Sequence, residues 1–441
     1  MNTKIAILGA GESGVGAALL AKQQGAEVWV SDGGKIADRF RSVLIENAIP
    51  FEEGKHTKET FFDSDLVIKS PGIPEHAAIM QEIRASHRPV ISEIEYAFRC
   101  SGEHDKIIAI TGSNGKTTTT SLIWHLLHHV GSDAALVGNI GKSFAWQIAT
   151  DPKPVYVLEV SSFQLDDIDQ FRPDVALLLN ITPDHLDRYG YDMARYANAK
   201  FRITENQQAD DTFIYCVDDP ETMKHLPSHP TKARKWAFSL EQAVAAKMEA
   251  NAALVHGQKR ADFAKTQLLG PHNQRNVLAA LLATEAIGEK RYEQVEEALY
   301  SFEAIEHRLE KVSEQDGVLF INDSKATNVD SVYYAIKGLT GPIIWIAGGV
   351  DKGNNYQPLI PLVKEKVKAL IILGEHREPL DKAFHEVANT QAMSMAEAVE
   401  QAKQIASAGD TVLLSPACAS FDLFRNYEDR GRQFKNEVLN Y

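Results

Sequence analysis

The stretch from Thr111 to Thr118, which reads Thr-Gly-Ser-Asn-Gly-Lys-Thr-Thr, combines residue types that bind a polyphosphate. It follows an apolar run typical of a buried strand and begins a helical pattern. Gly112 and Gly115 allow backbone N–H groups to turn towards phosphate oxygens, Lys116 supplies a positive charge, and Thr117 supplies a hydroxyl for Mg²⁺. The order of strand, loop and helix predicts a nucleotide-binding loop, and ATP is the expected nucleotide.

The spacing inside this loop differs from the usual one. Only two residues separate Gly112 from Gly115, whereas four stand between the first glycine and the Gly-Lys pair of a common phosphate-binding loop. The alternative is an ordinary glycine turn before a helix, with a solvated Lys116. Because all three parts occur in the required order, we favour a shortened phosphate-binding loop.

A second glycine-rich turn lies near the N-terminus. Gly9 to Gly14 reads Gly-Ala-Gly-Glu-Ser-Gly and follows the strand-like run Lys4 to Leu8, and a second strand-like run precedes Asp32. This order is typical of dinucleotide-binding units, in which the acidic residue contacts a ribose. The motif indicates only that a diphosphate can approach the backbone closely, so NAD and other nucleotide diphosphates remain alternatives at this point.

Polar side chains follow or end the strand-like runs that come after the phosphate-binding loop. Asn139, Glu159 and His185 occupy such positions. Ligands gather at the carboxyl ends of parallel strands, so we expect these side chains near the phosphates. A carboxylate and an imidazole are candidate Mg²⁺ ligands there, although imidazole is a less usual partner for this hard ion. The alternative for Glu159 is a loop carboxylate in a salt bridge.

Lys200 lies on the apolar face of a predicted helix, Asp192 to Thr204. Met193, Tyr196 and Ala197 share that face by three- and four-residue spacing. The lysine side chain either reaches back to water or stays desolvated. A desolvated lysine has a lowered pKa and is nucleophilic, for instance towards CO₂.

The last third of the chain carries two lysines and a serine close after strand-like runs. These residues are Lys325, Lys352 and Ser420. Together they predict a pocket for a carboxylate, because two cations and a hydroxyl at neighbouring strand ends match that group. The alternative for each lysine is a solvated loop position.

Strand-like and helical runs alternate along all 441 residues and predict an α/β protein. The chain is too long for a single hydrophobic core, and we divide it into three domains. We expect a Rossmann-like domain over 1–99, a central P-loop ATPase domain with a mainly parallel sheet over 100–303, and a Rossmann-like domain over 304–441.

The composition restricts the partners and the compartment. A net charge of -14 argues against broad nucleic-acid or anionic-membrane binding. Three cysteines, far apart and without metal-ligand spacing, argue against a disulfide scaffold and fit a reducing cytosol. No apolar run approaches the length of a membrane span. We therefore expect a cytoplasmic protein with small-molecule substrates, no nucleic-acid or membrane partner, and a monomeric state.

Several motifs taken together resemble the Mur ligase family over all three domains. They are Thr111 to Thr118, Leu158-Glu-Val-Ser-Ser-Phe-Gln164, Asp184-His-Leu-Asp-Arg188 and His307-Arg308, which folylpolyglutamate synthetases share in part. Asn322-Asp-Ser-Lys-Ala-Thr-Asn328 and Leu414-Ser-Pro-Ala-Cys-Ala-Ser420 resemble the members that add D-glutamate. The resemblance implies ATP- and Mg²⁺-dependent addition of D-glutamate to UDP-N-acetylmuramoyl-L-alanine through an acyl phosphate, in peptidoglycan precursor synthesis.

The resemblance also implies roles for individual residues. Lys116, Glu159, His185 and Lys200 would be catalytic, and Thr117, Glu159, His185 and a carbamylated Lys200 would hold Mg²⁺. ATP would contact Gly112, Ser113, Asn114, Gly115, Lys116, Thr117, Thr118, Asn273, Arg308 and Asp323. D-Glutamate would contact Lys325, Thr327, Lys352, Ser420 and Phe421, and the UDP-linked substrate would contact Ser13, Asp32 and Asn139.

One position departs from the family pattern. Relatives often carry a polar pair with arginine just after the second strand, where this chain has Gly33-Gly34, so the resemblance assigns no uracil or diphosphate contacts there. Three alternatives to the D-glutamate reaction remain open: another Mur-type or folylpolyglutamate-type ligase, an ATP-regulated binding module, and a nicotinamide dehydrogenase.

Overall fold

The computed structural model describes residues 3–303, 306–351 and 353–440. The chain divides into two compact units. The first comprises Met1–Asp262 and Arg275–Leu299, and the second comprises Phe263–Gln274 and Tyr300–Tyr441.

The first unit contains two sheets, of which the N-terminal one is entirely parallel. Its described strands lie in the order β3-β2-β1-β4-β5. Apolar β1 and β4 are buried in the middle, as expected for strands covered on both faces. The strands are β1 (Lys4–Leu8), β2 (Glu27–Asp32), β3 (Phe51–Glu53), β4 (Leu66–Lys69) and β5 (Val90–Ser92), and the helices are α1 (Glu12–Gln23), α2 (Asp38–Glu46), α3 (Lys58–Phe62), α4 (Ala78–Ala85) and α5 (Glu93–Cys100).

The central sheet is larger and mixed. Its order is β14-β13-β12-β11-β10-β9-β6-β8-β7, with antiparallel pairing only from β12 to β14 among the described residues. Its strands are β6 (Lys106–Thr111), β7 (Ala134–Gly138), β8 (Val155–Glu159), β9 (Val175–Leu178), β10 (Thr212–Cys216), β11 (Arg234–Ser239), β12 (Ala246–Glu249), β13 (Ala252–Val255) and β14 (Gln258–Asp262). The helices of this region are α6 (Lys116–His129), α7 (Phe144–Thr150), α8 (Ser162–Leu165), α9 (Met193–Phe201), α10 (Pro220–His225), α11 (Gly270–Ala286) and α12 (Tyr292–Ser301).

The order of this sheet fixes what surrounds the phosphate-binding loop. Strand β6, which leads into the loop, lies between β8 and β9. All three strands run parallel, so their carboxyl ends meet at one edge. Glu159 at the end of β8 and Asn180 after β9 are therefore placed on either side of the loop.

Helices of the N-terminal and central parts pack closely within the first unit. An added Cβ at Gly16 of α1 would lie 2.3 Å from Ser143 Oγ, next to α7. Buried Glu95 accepts backbone N–H hydrogen bonds from Asp169, Gln170 and Phe171 at 2.8–3.1 Å. Buried Lys69 lies 2.7 Å from buried Asp167. The two sheets are thus joined by paired buried charges as well as by apolar contact.

The second unit contains one six-stranded sheet in the order β15-β16-β20-β17-β18-β19. Only the edge strand β15 is antiparallel among the described pairs. The strands are β15 (Glu310–Gln315), β16 (Val318–Asn322), β17 (Ile343–Ala347), β18 (Val367–Leu373), β19 (Asn389–Ala392) and β20 (Thr411–Leu414), and the helices are α13 (Val329–Gly338), α14 (Ile360–Lys366), α15 (Glu378–Ala383), α16 (Met395–Ile405) and α17 (Tyr427–Leu439).

The sheets confirm the predicted α/β class with mainly parallel strands. The boundaries after 99 and 303 stay predictions. The first falls one residue inside α5, which ends at Cys100, and Ala304 lies outside the described residues. None of the helices in the described ranges has the length and hydrophobicity that a membrane span requires.

Glu93 yields a prediction about pH and stability. Its side chain is fully buried between the two parts of the first unit, where Oε1 accepts the Ala145 N–H at 2.5 Å and Oε2 has no hydrogen-bond partner among the described residues. Burial raises the pKa of Glu93 to about 7. The folded state therefore keeps a proton that the unfolded state releases between about pH 4.5 and 7, and stability falls as pH rises through that window.

Glu93→Gln should remove this loss, because an amide does not ionise. Urea unfolding should show similar stability at about pH 5 and a variant more stable than the parent, by up to about 3 kcal/mol, at about pH 8.5. Glu46→Gln, at the exposed end of α2, is the matched control and should leave the pH dependence unchanged. A stability difference that does not vary with pH would contradict the prediction.

Candidate active site

The phosphate-binding loop joins β6 to α6, as predicted. Gly115 has a φ of +83° and an added Cβ would lie 2.5 Å from Asn276 Oδ1, so glycine is required there. The Asn114 N–H donates to Asn180 Oδ1 at 2.8 Å, and Ser113 Oγ donates to the Thr182 carbonyl at 2.8 Å. The segment after β9 therefore braces the loop. Thr117 and Thr118 are buried in the first turn of α6.

Two lysines donate to the same carbonyl oxygen in this loop. Lys116 Nζ lies 2.7 Å from the Gly112 carbonyl oxygen and 2.8 Å from that of Ser113. Lys200 Nζ, from α9, lies 2.8 Å from the Gly112 oxygen as well. The structure therefore brings the predicted residues Gly112, Lys116 and Lys200 together.

Lys200 is buried rather than solvated, with 1% of its surface exposed. Its Nζ lies 4.5 Å from the centroid of the Tyr196 ring, and the Tyr196 hydroxyl contacts Ser113 Oγ at 3.0 Å. Within the described ranges no carboxylate lies within salt-bridge distance of Lys200 Nζ. Burial, and then the charge of Lys116, lower the pKa of Lys200 well below its ordinary value. The neutral, nucleophilic amine is therefore formed more readily than at a solvated lysine.

Glu159 presents an unsatisfied carboxylate oxygen. It ends β8 and is 2% exposed. Its Oε1 accepts from Asn139 Nδ2 at 2.9 Å, whereas Oε2 has no hydrogen-bond partner in the described structure. A buried carboxylate oxygen left in this state is costly unless a cation or donor meets it. Thr117, Glu159 and His185 together offer the oxygen and nitrogen donors that suit a divalent cation.

His185 lies on a surface turn. Its backbone has a φ of +50°, and its ring edge packs against Phe163 with centroids 5.3 Å apart. About half of the side chain is exposed. The imidazole is thus held by an aromatic contact and remains accessible to a ligand.

Arg188 ends a motif quoted from the sequence but was given no role there, and the structure shows that it ties this turn to the N-terminal sheet. Its guanidinium donates to the carbonyl oxygens of Pro71, Gly72 and Ile73 at 3.2–3.4 Å and stacks over Phe163 at 4.3 Å. These acceptors are backbone atoms of a segment distant in sequence, so residue spacing does not predict the contacts. The Phe163 ring therefore contacts both Arg188 and His185.

The N-terminal glycine turn is shaped by Asp32. Asp32 Oδ2 accepts the Ala10 N–H at 2.7 Å and Oδ1 accepts the Gly34 N–H at 2.8 Å. An added Cβ at Gly14 would lie 1.9 Å from the Gly9 oxygen, so the turn requires glycine there. Ser13 lies in the first turn of α1, beside this loop. The arrangement is typical of a turn that binds a diphosphate.

In the second unit, loops after β16, β17 and β20 lie side by side, because these strands are neighbours. The Val350 N–H donates to the Ala419 oxygen at 2.8 Å. Lys325 Nζ lies 4.8 Å from the Tyr427 ring, and the Thr327 N–H donates to the Lys325 oxygen. The two predicted D-glutamate contacts on the last loop differ in burial, since Ser420 is buried and Phe421 is 71% exposed, and Lys352 lies outside the described residues.

Three residues of the second unit, Asn273, Arg308 and Asp323, are predicted ATP contacts. Asn273 Nδ2 donates to the Leu269 oxygen at 2.9 Å, and Arg308 is half-buried near Asp323. Asp323 accepts from Leu309 N–H and Ser415 Oγ, and burial raises the pKa of Asp323 to about 7. A carboxyl in this state is easily shifted to its ionised form by a nearby donor.

Buried Arg430 also escaped the sequence analysis. It donates to the Ser324 and Cys418 carbonyl oxygens at 2.9–3.3 Å and to Ser324 Oγ at 3.0 Å. Burial lowers the pKa of Arg430 to about 10. It therefore fixes the loops after β16 and β20 to each other from α17, through backbone acceptors that no motif reveals.

Comparison with known families gives three matches along the chain. The model of the MurD N-terminal domain matches residues 4–79, the Mur ligase middle domain matches 110–284, and the glutamate ligase domain of Mur ligases matches 307–418.

Full-length relatives agree with these matches. UDP-N-acetylmuramoylalanine–D-glutamate ligase of Christiangramia forsetii is 47% identical over all of both chains. The enzyme of the same name from Bacteroides fragilis is 48% identical over 99% of each chain.

Solved structures share the fold. UDP-N-acetylmuramate-alanine ligase MurC of Thermotoga maritima superposes with a TM-score of 0.62 over all of both chains at 20% identity. MurF ligase from Thermotoga maritima in complex with ADP gives 0.63 over 94% of this chain and 95% of that one, at 15% identity. On the family matches and the full-length identities together, the chain belongs to the Mur ligase family.

Proposed function

We propose that this chain is an ATP-dependent ligase that joins D-glutamate to UDP-N-acetylmuramoyl-L-alanine in peptidoglycan precursor synthesis. The observation that carries the proposal is the near-50% identity, over the whole chain, to enzymes named for that reaction. The phosphate-binding loop and the ADP complex of a structural relative support ATP as the nucleotide.

The reaction divides into two displacements. The alanyl carboxylate of the acceptor attacks the γ-phosphorus of ATP, and ADP leaves as the acyl phosphate forms. The amine of D-glutamate then attacks the acyl carbon, phosphate leaves, and the nitrogen loses a proton. Catalysis of such transfers rests on positioning and on stabilising charge, which are tasks for fixed lysines and cations.

The first unit is proposed to hold the phosphates. Lys116, within the loop Gly112 to Thr118, neutralises phosphate charge once its bonds to the loop carbonyls are exchanged for phosphate oxygens. Thr117, Glu159 and His185 are the proposed Mg²⁺ ligands, and the unsatisfied Oε2 of Glu159 supports that assignment. Bound Mg²⁺ would supply neutralisation of the phosphate charge.

Lys200 is proposed to react with CO₂. Its amine adds to the carbon and releases a proton, giving a carbamate whose oxygens would hold a second Mg²⁺. The burial and the lowered pKa of Lys200 support this step, because both favour the neutral amine. The alternative is an ammonium that remains bonded to the Gly112 oxygen.

The remaining assignments rest on the family resemblance. Asn273, Arg308 and Asp323 are proposed ATP contacts. The proposed D-glutamate contacts are Lys325, Thr327, Lys352, Ser420 and Phe421, and the proposed acceptor contacts are Ser13, Asp32 and Asn139. The buried Asp323 and the cation of Lys325 beside Tyr427 support polar ligands at these loops.

The domain limits 1–99, 100–303 and 304–441, a cytoplasmic location and a monomeric state are also proposed. The free thiols of Cys100, Cys216 and Cys418 support a reducing compartment.

The proposed function predicts which amino acid triggers phosphate release. Mg-ATP and UDP-N-acetylmuramoyl-L-alanine should give sustained phosphate release with D-glutamate, and a product of the matching mass. L-Glutamate, L-lysine and buffer alone are the comparisons. Release that requires another amino acid would keep a ligase and overturn the D-glutamate assignment, and ATP binding without any amide product would favour a binding module.

The proposed carbamate predicts that turnover depends on CO₂. Degassed, bicarbonate-free enzyme should lose activity and regain it when bicarbonate is added, with a carbon-13 carbamate signal from labelled bicarbonate. Lys200→Met should lose about a hundredfold or more in turnover, show no such signal and not respond to bicarbonate. Lys224→Met, at an exposed lysine of the same unit, is the control and should retain turnover. Bicarbonate-independent activity of the native enzyme would contradict the carbamate.

A further inference from the structure

The His56 ring occupies the place where Gly33 lacks a side chain. An added Cβ at Gly33 would lie 2.9 Å from His56 Nε2. Gly33 follows Asp32 at the end of β2, and Asp32 is in register with Glu53 at the end of the neighbouring parallel strand β3. The loop after β3, which carries His56, therefore reaches the same edge of the sheet as the glycine-rich turn.

A buried set of hydrogen bonds orients this ring. Thr57 donates to both oxygens of Glu52, through its N–H to Oε1 and through its hydroxyl to Oε2, each at 2.6 Å. Ser31 Oγ lies 2.8 Å from Glu52 Oε1 and 2.7 Å from His56 Nδ1. Ser31 and Glu52 are buried, and the His56 ring is half-buried. The imidazole is thus preorganised rather than a free surface group.

The same bonds determine which ring nitrogen carries the proton. Burial alone would raise the pKa of Glu52, but hydrogen bonds from Thr57 and Ser31 outweigh it and lower the pKa. The ionised Glu52 only accepts, so Ser31 gives it its single hydroxyl proton. Ser31 Oγ then accepts from His56 Nδ1–H, which leaves Nε2 of the neutral ring as an acceptor. Nothing in the described part of the chain hydrogen-bonds to that Nε2.

The position of His56 Nε2 indicates which part of a bound nucleotide it would contact. The glycine-rich turn and the N-terminus of α1 suit the diphosphate, and the acidic residue after the second strand marks the nucleoside side. His56 Nε2 lies next to Gly33, the residue that follows Asp32, and therefore on that side. Of the uracil ring atoms, only N3–H is a strong donor, whereas cytosine presents an acceptor there. A fixed imidazole acceptor therefore matches uracil.

We infer that His56 Nε2 accepts a hydrogen bond from N3–H of the uracil of the UDP-linked substrate and helps to select that base. The inference rests on the proposed function, which places UDP at the N-terminal sheet. It also accounts for Gly33, since a side chain at position 33 would displace the ring that supplies the polar contact.

A binding cycle with two ligands tests the contact. The full-length chain is titrated with UDP and with UDP methylated at N3, which lacks the donor. The native protein should bind UDP more tightly than the methylated ligand. His56→Ala should weaken UDP binding by about two- to tenfold and lose most of that preference. Gly33→Ala should behave similarly, because its Cβ displaces the ring without removing it.

Controls separate this role from a structural one. His56→Gln retains an acceptor and should recover part of the preference for UDP, whereas His104→Ala, at an exposed histidine outside the N-terminal sheet, should match the native protein. Unfolding curves of each variant check that the first unit is intact.

Each remaining outcome decides a different question. If the native chain does not bind UDP, the proposed site for the UDP-linked substrate is contradicted, and the His56 contact is contradicted with it. If the native chain binds UDP and His56→Ala keeps the full preference over the methylated ligand, the His56 contact is overturned and the proposed function stands. Equal weakening of both ligands would assign His56 to the ribose or diphosphate and would also overturn base selection.

Discussion

The sharing of the Gly112 carbonyl oxygen by Lys116 and Lys200 is the constraint on which the candidate active site depends. Lys116 has a second carbonyl acceptor in Ser113, but both side chains donate to the Gly112 oxygen, and their charges repel each other when both amines are protonated. Lys200 is also removed from water, which is costly for a charged lysine. The arrangement is relieved by an anion next to Lys116 or by loss of the proton from Lys200. Both responses would suit the proposed site, in which a polyphosphate binds next to Lys116 and Lys200 is carbamylated.

In contrast, the buried charges at the contact between the two sheets of the first unit have charged or N–H partners. There Lys69 meets Asp167, and Glu95 receives several backbone N–H groups. Pairing of this kind specifies how the N-terminal sheet sits on the central sheet, because a shift would leave a charge without a partner. Arg188 extends the same control to the site, since it holds the turn near Gly72 and packs on Phe163 beside His185. A UDP-linked substrate bound at the N-terminal sheet would therefore be held in a fixed position relative to the phosphate-binding loop.

Much of this could be predicted from the sequence, because local pattern and strand order carry it. The loop residues Gly112 and Lys116 follow a buried strand, and helical spacing placed Lys200 on an apolar face, where the structure buries it. Other residues could not be found in this way. Arg188 and Arg430 act on backbone carbonyl oxygens of distant segments, and His56 depends on the absence of a side chain at Gly33. Their roles arise from tertiary contacts, which single-sequence spacing does not encode.

The second unit repeats the distinction between paired and unpaired buried charges. Burial raises the pKa of Asp323 and lowers the pKa of Arg430, so each group is shifted towards its neutral form. No salt bridge joins either side chain to an opposite charge in the described residues. Arg430 is nevertheless satisfied by carbonyl oxygens, and with a pKa of about 10 it keeps its positive charge at neutral pH, so it acts as a charged structural clamp. Within the described ranges Asp323 accepts one hydrogen bond at each of its two oxygens, and it retains acceptor capacity. A ligand hydroxyl or cation at the loop after β16 would bind the remaining acceptor positions of Asp323 and stabilise its ionised carboxylate. Ligand binding at this loop and deprotonation of Asp323 should therefore be coupled.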